Sequence, residues 1–445
     1  MLNLILIWIA VGVALVLVSG RSSAGLLLAY FFSTSLIYFP GAMLHLQADE
    51  WNWTRLGFEE TVIGMAAFLA GAIIAKIFKI LQLPKQNASV GRPNDIGPTS
   101  LAELNRLALV YCLLGGFAYF VLLPSASAIS SATAVISSIG SLTVVGICLR
   151  LWAAREGRDR WKFLSTIALL PILPLSTLIQ SGFLGFGTVW ALTVSTFIFA
   201  QTRRRLLYLS LAPVVLYVGM SLFVNYMAAR DDIRKLVWYQ QASLVDRLDR
   251  VEEVFQNFEW LDLSNAKHRR AIENRLNQNL LVGAAVTKLK SEQKSYTFGA
   301  AISNMFLALI PRALWPDKPQ VGGGGNIVTE YTGIRFARGT SVGAGQVLEF
   351  YVNFGTGSVI VGFVLLGWLL GYLDLTIIEA LRLGDQSRFL FSFMIAMSLL
   401  QPGGNLIEIA ASLAGAATSA YALNYFFKRR RSVPAIPPLH RKISV

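Results

Sequence analysis

The apolar residues of this chain are gathered into long runs, and the polar residues are confined to the segments between them. A helix needs about 20 apolar residues to cross the hydrocarbon core of a bilayer. The pattern therefore predicts an all-α, polytopic integral membrane protein with about 11 transmembrane helices, within a range of 10–12. The predicted spans are 2–18, 24–40, 61–78, 107–123, 133–150, 164–180, 184–201, 206–227, 357–373, 389–402 and 406–427.

Run 389–402 is shorter than the others and leads into Gln401-Pro402-Gly403-Gly404-Asn405. Non-helical backbone is tolerated at membrane depth only where protein or a water-filled cavity satisfies its polar groups. Two alternatives therefore stay open at this point, a full span and one half of a broken helix. Glu408, just beyond, either lines a substrate cavity or pairs with a basic residue, because carboxylates within spans are usually functional or paired.

The short connections alternate in charge along the chain. Loops 79–106 and 151–163 are basic, loop 41–60 is mainly acidic, and Arg55 is the one Lys or Arg in it. Because basic short loops stay in the cytoplasm, this alternation predicts an outside N-terminus and a cytoplasmic C-terminus in a bacterial inner (plasma) membrane. The predicted organisation is an N-terminal bundle of about eight spans, a long extracytoplasmic loop, three C-terminal spans and a basic cytoplasmic tail, at 1–227, 228–356, 357–427 and 428–445.

Composition narrows the class further. The chain of 445 residues is 54% hydrophobic and 14% charged, with a mean hydropathy of +0.55 and a net charge of +14. These values exclude a cytosolic enzyme, a disordered protein and a disulfide scaffold. The positive charge lies mainly in loops beside membrane spans, so nucleic acid is not an expected partner. Cys112 and Cys148 lie in apolar runs and the three histidines are far apart, so we expect no bound metal or other cofactor.

The long loop holds far more residues than a connection between two spans needs. Segment 246–260 has the period of an amphipathic helix, and 268–290 predicts a second helix with Arg269, Arg270 and Arg275 exposed. Residues 299–310 are apolar but too short to span, which is typical of an interfacial helix.

The second half of this loop concentrates cations, aromatic rings and glycines. Arg312, Trp315 and Lys318 lie in a segment with three prolines, at 311, 316 and 319, that cannot form a regular helix. Arginine clamps phosphate oxygens with two parallel hydrogen bonds, so a lipid-linked anionic sugar is a chemically reasonable ligand. The alternative is that the cations reach lipid headgroups while Trp315 anchors the interface.

The stretch IPRALWPDKP, a glycine-rich interval and then LEFYVNFGTGS, within 299–373, resembles the long loop of the Wzy-type O-antigen or oligosaccharide repeat-unit polymerases. The resemblance implies a helical fold like that of lipid-dependent (GT-C-like) glycosyltransferases. It also implies block transfer of a growing polysaccharide from undecaprenyl diphosphate to a new lipid-linked repeat unit at the outer membrane face. The protein partners it implies are a chain-length-regulating co-polymerase and a flippase.

The residues suggest which groups carry that chemistry. Glu349 is the predicted general base because it is a carboxylate in an apolar, aromatic setting, although a salt-bridge role is the alternative. Fixed cations, with Arg312 first, would stabilise the departing diphosphate without a metal. Predicted contacts to the diphosphate and sugar are Trp315, Lys318, Arg335, Arg338, Tyr351 and Asn353.

Two other functions remain as alternatives. An O-antigen ligase would use the same donor, but such ligases combine basic residues with a histidine, and His268 lies in a charged helix far from Arg312. A transporter or flippase of lipid-linked sugars would often show internal repeats and charges in several spans. The sequence shows no such repeat, and its polar chemistry is concentrated in one loop.

Overall fold

A computed structural model describes residues 1–20, 22–47, 49–82, 98–125, 130–202, 205–240, 242–310, 315, 324–335 and 343–431. Every regular element in these ranges is a helix. Two short π-helical segments, Ala118–Leu122 and Lys235–Tyr239, extend α4 and α11. In chain order the helices are α1 Leu2–Val18, α2 Leu26–Leu44, α3 Trp53–Gln82, α4 Pro98–Phe117, α5 Leu123–Ser125, α6 Ser130–Gly140, α7 Leu142–Glu156, α8 Arg160–Ile167, α9 Ile172–Ser181, α10 Leu184–Gln201, α11 Arg205–Arg234, α12 Leu244–Gln256, α13 Ala266–Arg275, α14 Asn279–Lys290, α15 Ala300–Ala308, α16 Gly324–Thr332, α17 Gln346–Phe354, α18 Thr356–Leu383, α19 Gln386–Leu399 and α20 Leu406–Arg431.

Within the described part of the chain, nine helical stretches are long and apolar enough to cross a membrane. They coincide with nine of the predicted runs, so the all-helical, polytopic membrane class is confirmed. The other two runs form shorter helices, α1 with 17 residues and α19 with 14. The nine stretches are Leu26–Leu44, Trp53–Gln82, Leu101–Ser125, Ala132–Glu156, Arg160–Ser181, Leu184–Gln201, Arg205–Trp238, Thr356–Leu383 and Leu406–Phe427.

The chain breaks its helix between α19 and α20. A helix of 14 residues is about 21 Å long, which is less than the hydrocarbon thickness of about 30 Å. The turn at 400–405 is bonded to the segment around α17: the backbone N–H of Gln346 donates to Pro402 O at 3.1 Å, and that of Ala344 donates to Asn405 Oδ1 at 2.8 Å. Protein groups therefore satisfy this irregular backbone, as the broken-helix alternative requires.

Helices α3 and α18 pack closely at two glycines. A Cβ atom at Gly71 would lie 2.1 Å from the carbonyl oxygen of Val364, and one at Gly367 would lie 2.1 Å from that of Phe68. No side chain fits at such distances, so the two backbones touch directly. This contact holds the first three helices against the C-terminal helices.

Helix α2 begins at a carboxylate that belongs to α18. Asp374 is buried, and its Oδ1 accepts the backbone N–H of Leu26 at 2.8 Å. The Ser23 side chain and the backbone N–H of Gly25 also bond to this carboxylate. Because the first N–H groups of a helix have no partner within it, Asp374 satisfies them from a distant part of the sequence.

The segment 244–354 carries α12 to α17 at one end of the bundle, which we call the loop end. The amphipathic helix predicted at 246–260 is present as α12, and the segment 299–310, predicted to be an interfacial helix, contains the nine-residue helix α15. The prediction of one continuous helix over 268–290 is wrong, because α13 and α14 are separated by a break.

The physical reason for the break lies in α2, which contains Pro40. Around this proline the backbone ladder of α2 opens, and the α13–α14 junction bonds to the freed groups. The N–H of Gly41 donates to Leu276 O at 3.1 Å, and the N–H of Gln278 donates to Ile37 O at 3.0 Å. A long-range contact thus replaces the local helical bonds that the sequence pattern favoured.

Candidate functional site

A cavity of about 2260 Å³ runs along α11, from Tyr208 near the start of this helix to Arg234 at its end. Its walls come from α1, α2 and α9–α13, and the turn between α19 and α20 closes one side. Most of the lining is apolar, including Phe31, Val215 and Leu216. Ligand pockets for small molecules commonly measure about 300–1,000 Å³, so this cavity suits a larger, mainly apolar ligand.

Three arginines line the cavity at the loop end. Arg230 and Arg234 are four residues apart at the end of α11, so they project from the same face of that helix. Arg275 is the last residue of α13 and reaches the same cavity from the loop. We call these three residues the arginine cluster.

Two members of the arginine cluster are held with little charge compensation. Arg230 is 9% exposed, and its ion-pair partner Asp231, at 3.3 Å, has a side chain that is 83% exposed. The guanidinium of Arg234 lies 4.5 Å from the ring centroid of Phe183 and 4.9 Å from that of Trp238. Among the described residues, its buried Nε has no hydrogen-bond partner.

The three guanidinium groups also repel one another. Arg234 is close enough to both Arg230 and Arg275 to interact with them electrostatically. Burial lowers the pKa of Arg275, and repulsion by Arg230 lowers it further. Partly desolvated like charges are costly unless an anion compensates them. The arginine cluster is therefore suited to an anion with several oxygens, such as a phosphate or diphosphate.

Two carboxylates also line the cavity. Glu273, on α13, has its oxygens 3.0 Å from Nε2 of His45 and accepts a hydrogen bond from Asn277 Nδ2 at 2.9 Å. Glu408, on α20, is exposed to the cavity, and its Oε2 accepts the backbone N–H of Asn405 at 3.3 Å. The sequence left two alternatives for Glu408, lining a cavity or pairing with a basic residue. In the structure Glu408 lies at the cavity wall, which agrees with the first.

Glu349 occupies a different environment. It is 1% exposed and is not among the described residues that line the cavity. Its Oε2 accepts the backbone N–H of Leu406, in the first turn of α20. Burial raises the pKa of Glu349 to about 7, the Leu406 hydrogen bond opposes the shift, and repulsion by Glu408 adds to it. Its predicted role as general base stays a prediction.

Tyr351 and Asn353 are buried beside Glu349 in α17. Asn353 Nδ2 donates to the carbonyl oxygen of Glu349 at 2.7 Å, and its Oδ1 accepts the hydroxyl of Thr297 at 2.7 Å. The ring of Tyr351 lies 6.4 Å from that of Tyr296, and burial raises the pKa of Tyr351. Both residues tie α17 to the segment before α15, and neither is among the described residues lining the cavity.

The other predicted contact residues are spread over the loop. Trp315 is 38% exposed, and Arg335 is exposed next to Ile334, which lines the cavity. Arg312, Lys318 and Arg338 lie outside the described residues.

Sequence reasoning missed the arginine cluster as a site. Arg269 and Arg270 are exposed as predicted, but the prediction that Arg275 is exposed is wrong, because Arg275 is half-buried and lines the cavity. The four-residue spacing of Arg230 and Arg234 was a usable signal. The sequence did not indicate that Arg275 joins these two residues, because only the folding of the loop brings α13 next to the end of α11.

The fold and the cavity define a polytopic helical membrane protein with a cationic group at the edge of a large apolar cavity. The chain matches, over residues 60–380, the family described as Domain of unknown function (DUF8712). Because this match covers more than half of the 445 residues, the chain belongs to that family. No curated protein and no solved structure matches it.

Proposed function

We propose that this protein is a membrane glycosyltransferase that polymerises undecaprenyl-diphosphate-linked oligosaccharide repeat units into O-antigen, capsule or exopolysaccharide. The observation that carries the proposal is the arginine cluster on the wall of the cavity. An apolar chamber next to cations matches the two parts of a lipid diphosphate, the polyprenyl tail and the charged headgroup.

The same groups support chemistry as well as binding. When a sugar leaves its diphosphate carrier, negative charge develops on the departing phosphate oxygen. Guanidinium groups that are already in position stabilise this charge without reorganisation, which is how fixed cations lower a barrier. In this proposal the cluster supplies the electrostatic stabilisation, no metal is needed, and Arg312 and Lys318 add to it from the loop.

The position of the cluster favours an enzyme over a transporter. Substrate sites of secondary transporters commonly lie near the bilayer midplane. Arg230 and Arg234 instead lie at the loop end of α11, whose other end begins at Arg205. We propose that the loop end faces the outside of a bacterial plasma membrane, where a flippase delivers repeat units and a co-polymerase regulates chain length.

The test replaces each arginine of the cluster by lysine in the host cell. Lysine keeps the charge but loses the planar fork that grips phosphate. Losing one such donor typically costs about a hundredfold to a thousandfold in rate. We expect Arg230→Lys, Arg234→Lys and Arg275→Lys to accumulate lipid-linked single repeat units and to lose long polymer, as measured by gel ladders and lipid extraction.

Arg269→Lys is the matched control, since it lies on the same helix as Arg275 but is exposed. Membrane abundance of every variant is measured in parallel, and so is the binding of undecaprenyl diphosphate to the purified proteins. Normal ladders from all three cluster variants at normal abundance would refute the assignment. Polymer attached directly to lipid A core in cell-free assays would identify a ligase instead.

A further inference from the structure

We infer that Glu273 is the general base of this transferase and that His45 positions it. The inference rests on the proposed function and adds an acid–base residue to it. The juxtaposition that supports it is a carboxylate that lines the same cavity as the arginine cluster and is held by contacts to the side chains of His45 and Asn277.

Glu273 is accessible from the cavity. Its side chain is 29% exposed, and Glu273 is among the residues that line the cavity. A carboxylate has about four lone-pair positions on its two oxygens. His45 approaches both oxygens and Asn277 bonds to Oε1, which leaves lone pairs on Oε2 for an incoming hydroxyl group.

The orientation of Glu273 is set by His45 and by Asn277, which lies four residues further along the chain in the α13–α14 junction. His45 follows the last residue of α2, and because a carboxylate only accepts hydrogen bonds, Nε2 of His45 carries the proton in this contact. Asn277 Nδ2 also donates to Thr54 Oγ1 at 3.0 Å, on α3. Contacts of this kind hold a catalytic group in its productive geometry before substrate arrives.

Two other carboxylates are less suited to the role. Glu408 lines the cavity, but its hydrogen bond in the described structure is to the backbone of Asn405, three residues away in sequence. Glu349 is enclosed, and its Oε2 is engaged by the backbone of Leu406. Glu273 combines access to the cavity with a long-range contact to His45, next to the end of α2.

The step balances in atoms and charge. A hydroxyl oxygen of the acceptor sugar forms a bond to the anomeric carbon of the donor sugar while the bond from that carbon to the diphosphate oxygen breaks. The electron pair of the broken bond stays on the diphosphate, next to the arginine cluster. The hydroxyl proton passes to Glu273, which is neutral afterwards and later releases it to water.

The experiment measures turnover by purified variants in liposomes. The substrate is the lipid-linked single repeat unit extracted from host cells that lack the gene. Glu273→Gln keeps the size and one oxygen that accepts from Asn277 and His45 but removes the base, so we expect kcat to fall by about a hundredfold to ten-thousandfold while KM stays within about threefold. Binding of undecaprenyl diphosphate should be unchanged. A kcat within about threefold of the unmodified protein, at normal abundance, overturns the assignment.

Glu273→Asp provides a second measurement in case the amide variant fails to fold. It keeps the carboxylate but withdraws it by one methylene, so kcat should lie between those of the unmodified protein and Glu273→Gln. For His45, the glutamine variant retains an N–H donor and alanine does not. We expect His45→Gln to keep most of the kcat that His45→Ala loses, with KM unchanged in both. Equal kcat values for the two variants would overturn the positioning role.

The chain offers a matched control in a second His–Glu pair of the same loop. Nε2 of His268 lies 3.2 Å from Glu259 Oε2, and neither residue is among the described residues lining the cavity. Glu259→Gln and His268→Gln should therefore leave kcat unchanged. If the unmodified protein does not lengthen the extracted repeat units, the proposed function fails. If it does and Glu273→Gln does so equally well, only the inference about Glu273 fails.

Discussion

At the scale of single residues, Glu349 shows how enclosure changes a carboxyl group. The folded protein holds its pKa at about 7, above the ordinary value of 4.5, chiefly because burial disfavours the charged form. The folded state therefore binds this proton more tightly than the unfolded state does. As the pH rises from the ordinary pKa of 4.5 to the folded pKa of about 7, the free energy of unfolding falls. It stops falling above pH 7, where the carboxyl group is ionised in both states. The whole decrease in the free energy of unfolding over this pH range is about 3 kcal/mol.

We predict that Glu349→Gln removes this pH dependence. The amide oxygen still accepts the Leu406 N–H but has no proton to lose. Thermal unfolding of the purified protein in detergent should give similar midpoints for the two proteins near pH 5 and a higher midpoint for the variant near pH 8. Glu252→Gln, on the exposed side of α12, is the control. Parallel midpoint curves from pH 5 to pH 8 would contradict the enclosure of Glu349.

At the scale of elements, the contact between α3 and α18 depends on the absence of side chains. Gly71 and Gly367 each face a carbonyl oxygen of the opposite helix at a distance that admits no Cβ. In a bilayer the association of helices relies on this close packing, because lipid tails are as apolar as the side chains they would replace.

We predict that Gly71→Ala and Gly367→Ala each reduce folded protein in the membrane. An added methyl group would overlap a backbone carbonyl oxygen of the opposite helix, and the two helices would have to move apart to make room for it. Gly116→Ala is the matched control, because nothing lies within 4 Å of a Cβ built at that helical glycine. Membrane abundance and the thermal midpoint in detergent measure the effect. Equal stability of all three variants would show that α3 and α18 do not pack in this way.

At the scale of the whole molecule, the loop segment 244–354 collects α12 to α17 at one end of the bundle. This end also holds the arginine cluster, Glu273 and the turn between α19 and α20. Charge alternation in the short loops predicts that this end faces away from the cytoplasm. The location of the proposed chemistry therefore depends on the orientation of the entire chain.

We predict the orientation with reporter fusions inserted into three short connections and the long loop. An enzyme reporter that works only outside the cytoplasm should be active at Glu50, Gly182 and Lys290, and silent at Gly157. A reporter that works only in the cytoplasm, inserted at the same positions, should give the complementary pattern and serves as the control. Activity of the first reporter at Gly157 would reverse the orientation and place the cavity on the cytoplasmic side.

The sequence was informative wherever structure depends on neighbours along the chain. Length and apolar character predicted about eleven spans, nine of which coincide with helical stretches long and apolar enough to cross a membrane in the described part of the chain, and the period of residues 246–260 predicted α12. Both are local properties, because a helix in lipid satisfies its own backbone. The sequence also located a short final run next to Gln401-Pro402-Gly403-Gly404-Asn405, where the structure has a break.

Tertiary structure alone decided the site. Pro40 opens the backbone of α2, the α13–α14 junction bonds there, and Arg275 beside this junction lines the same cavity as Arg230 and Arg234. These contacts join segments that are far apart along the chain, and no local pattern encodes their distance. Glu349 was visible in the sequence as a carboxylate among apolar residues, but its enclosure by α20 was not. Which carboxylates face the cavity is a property of the packed molecule, because burial and orientation arise only when distant helices meet.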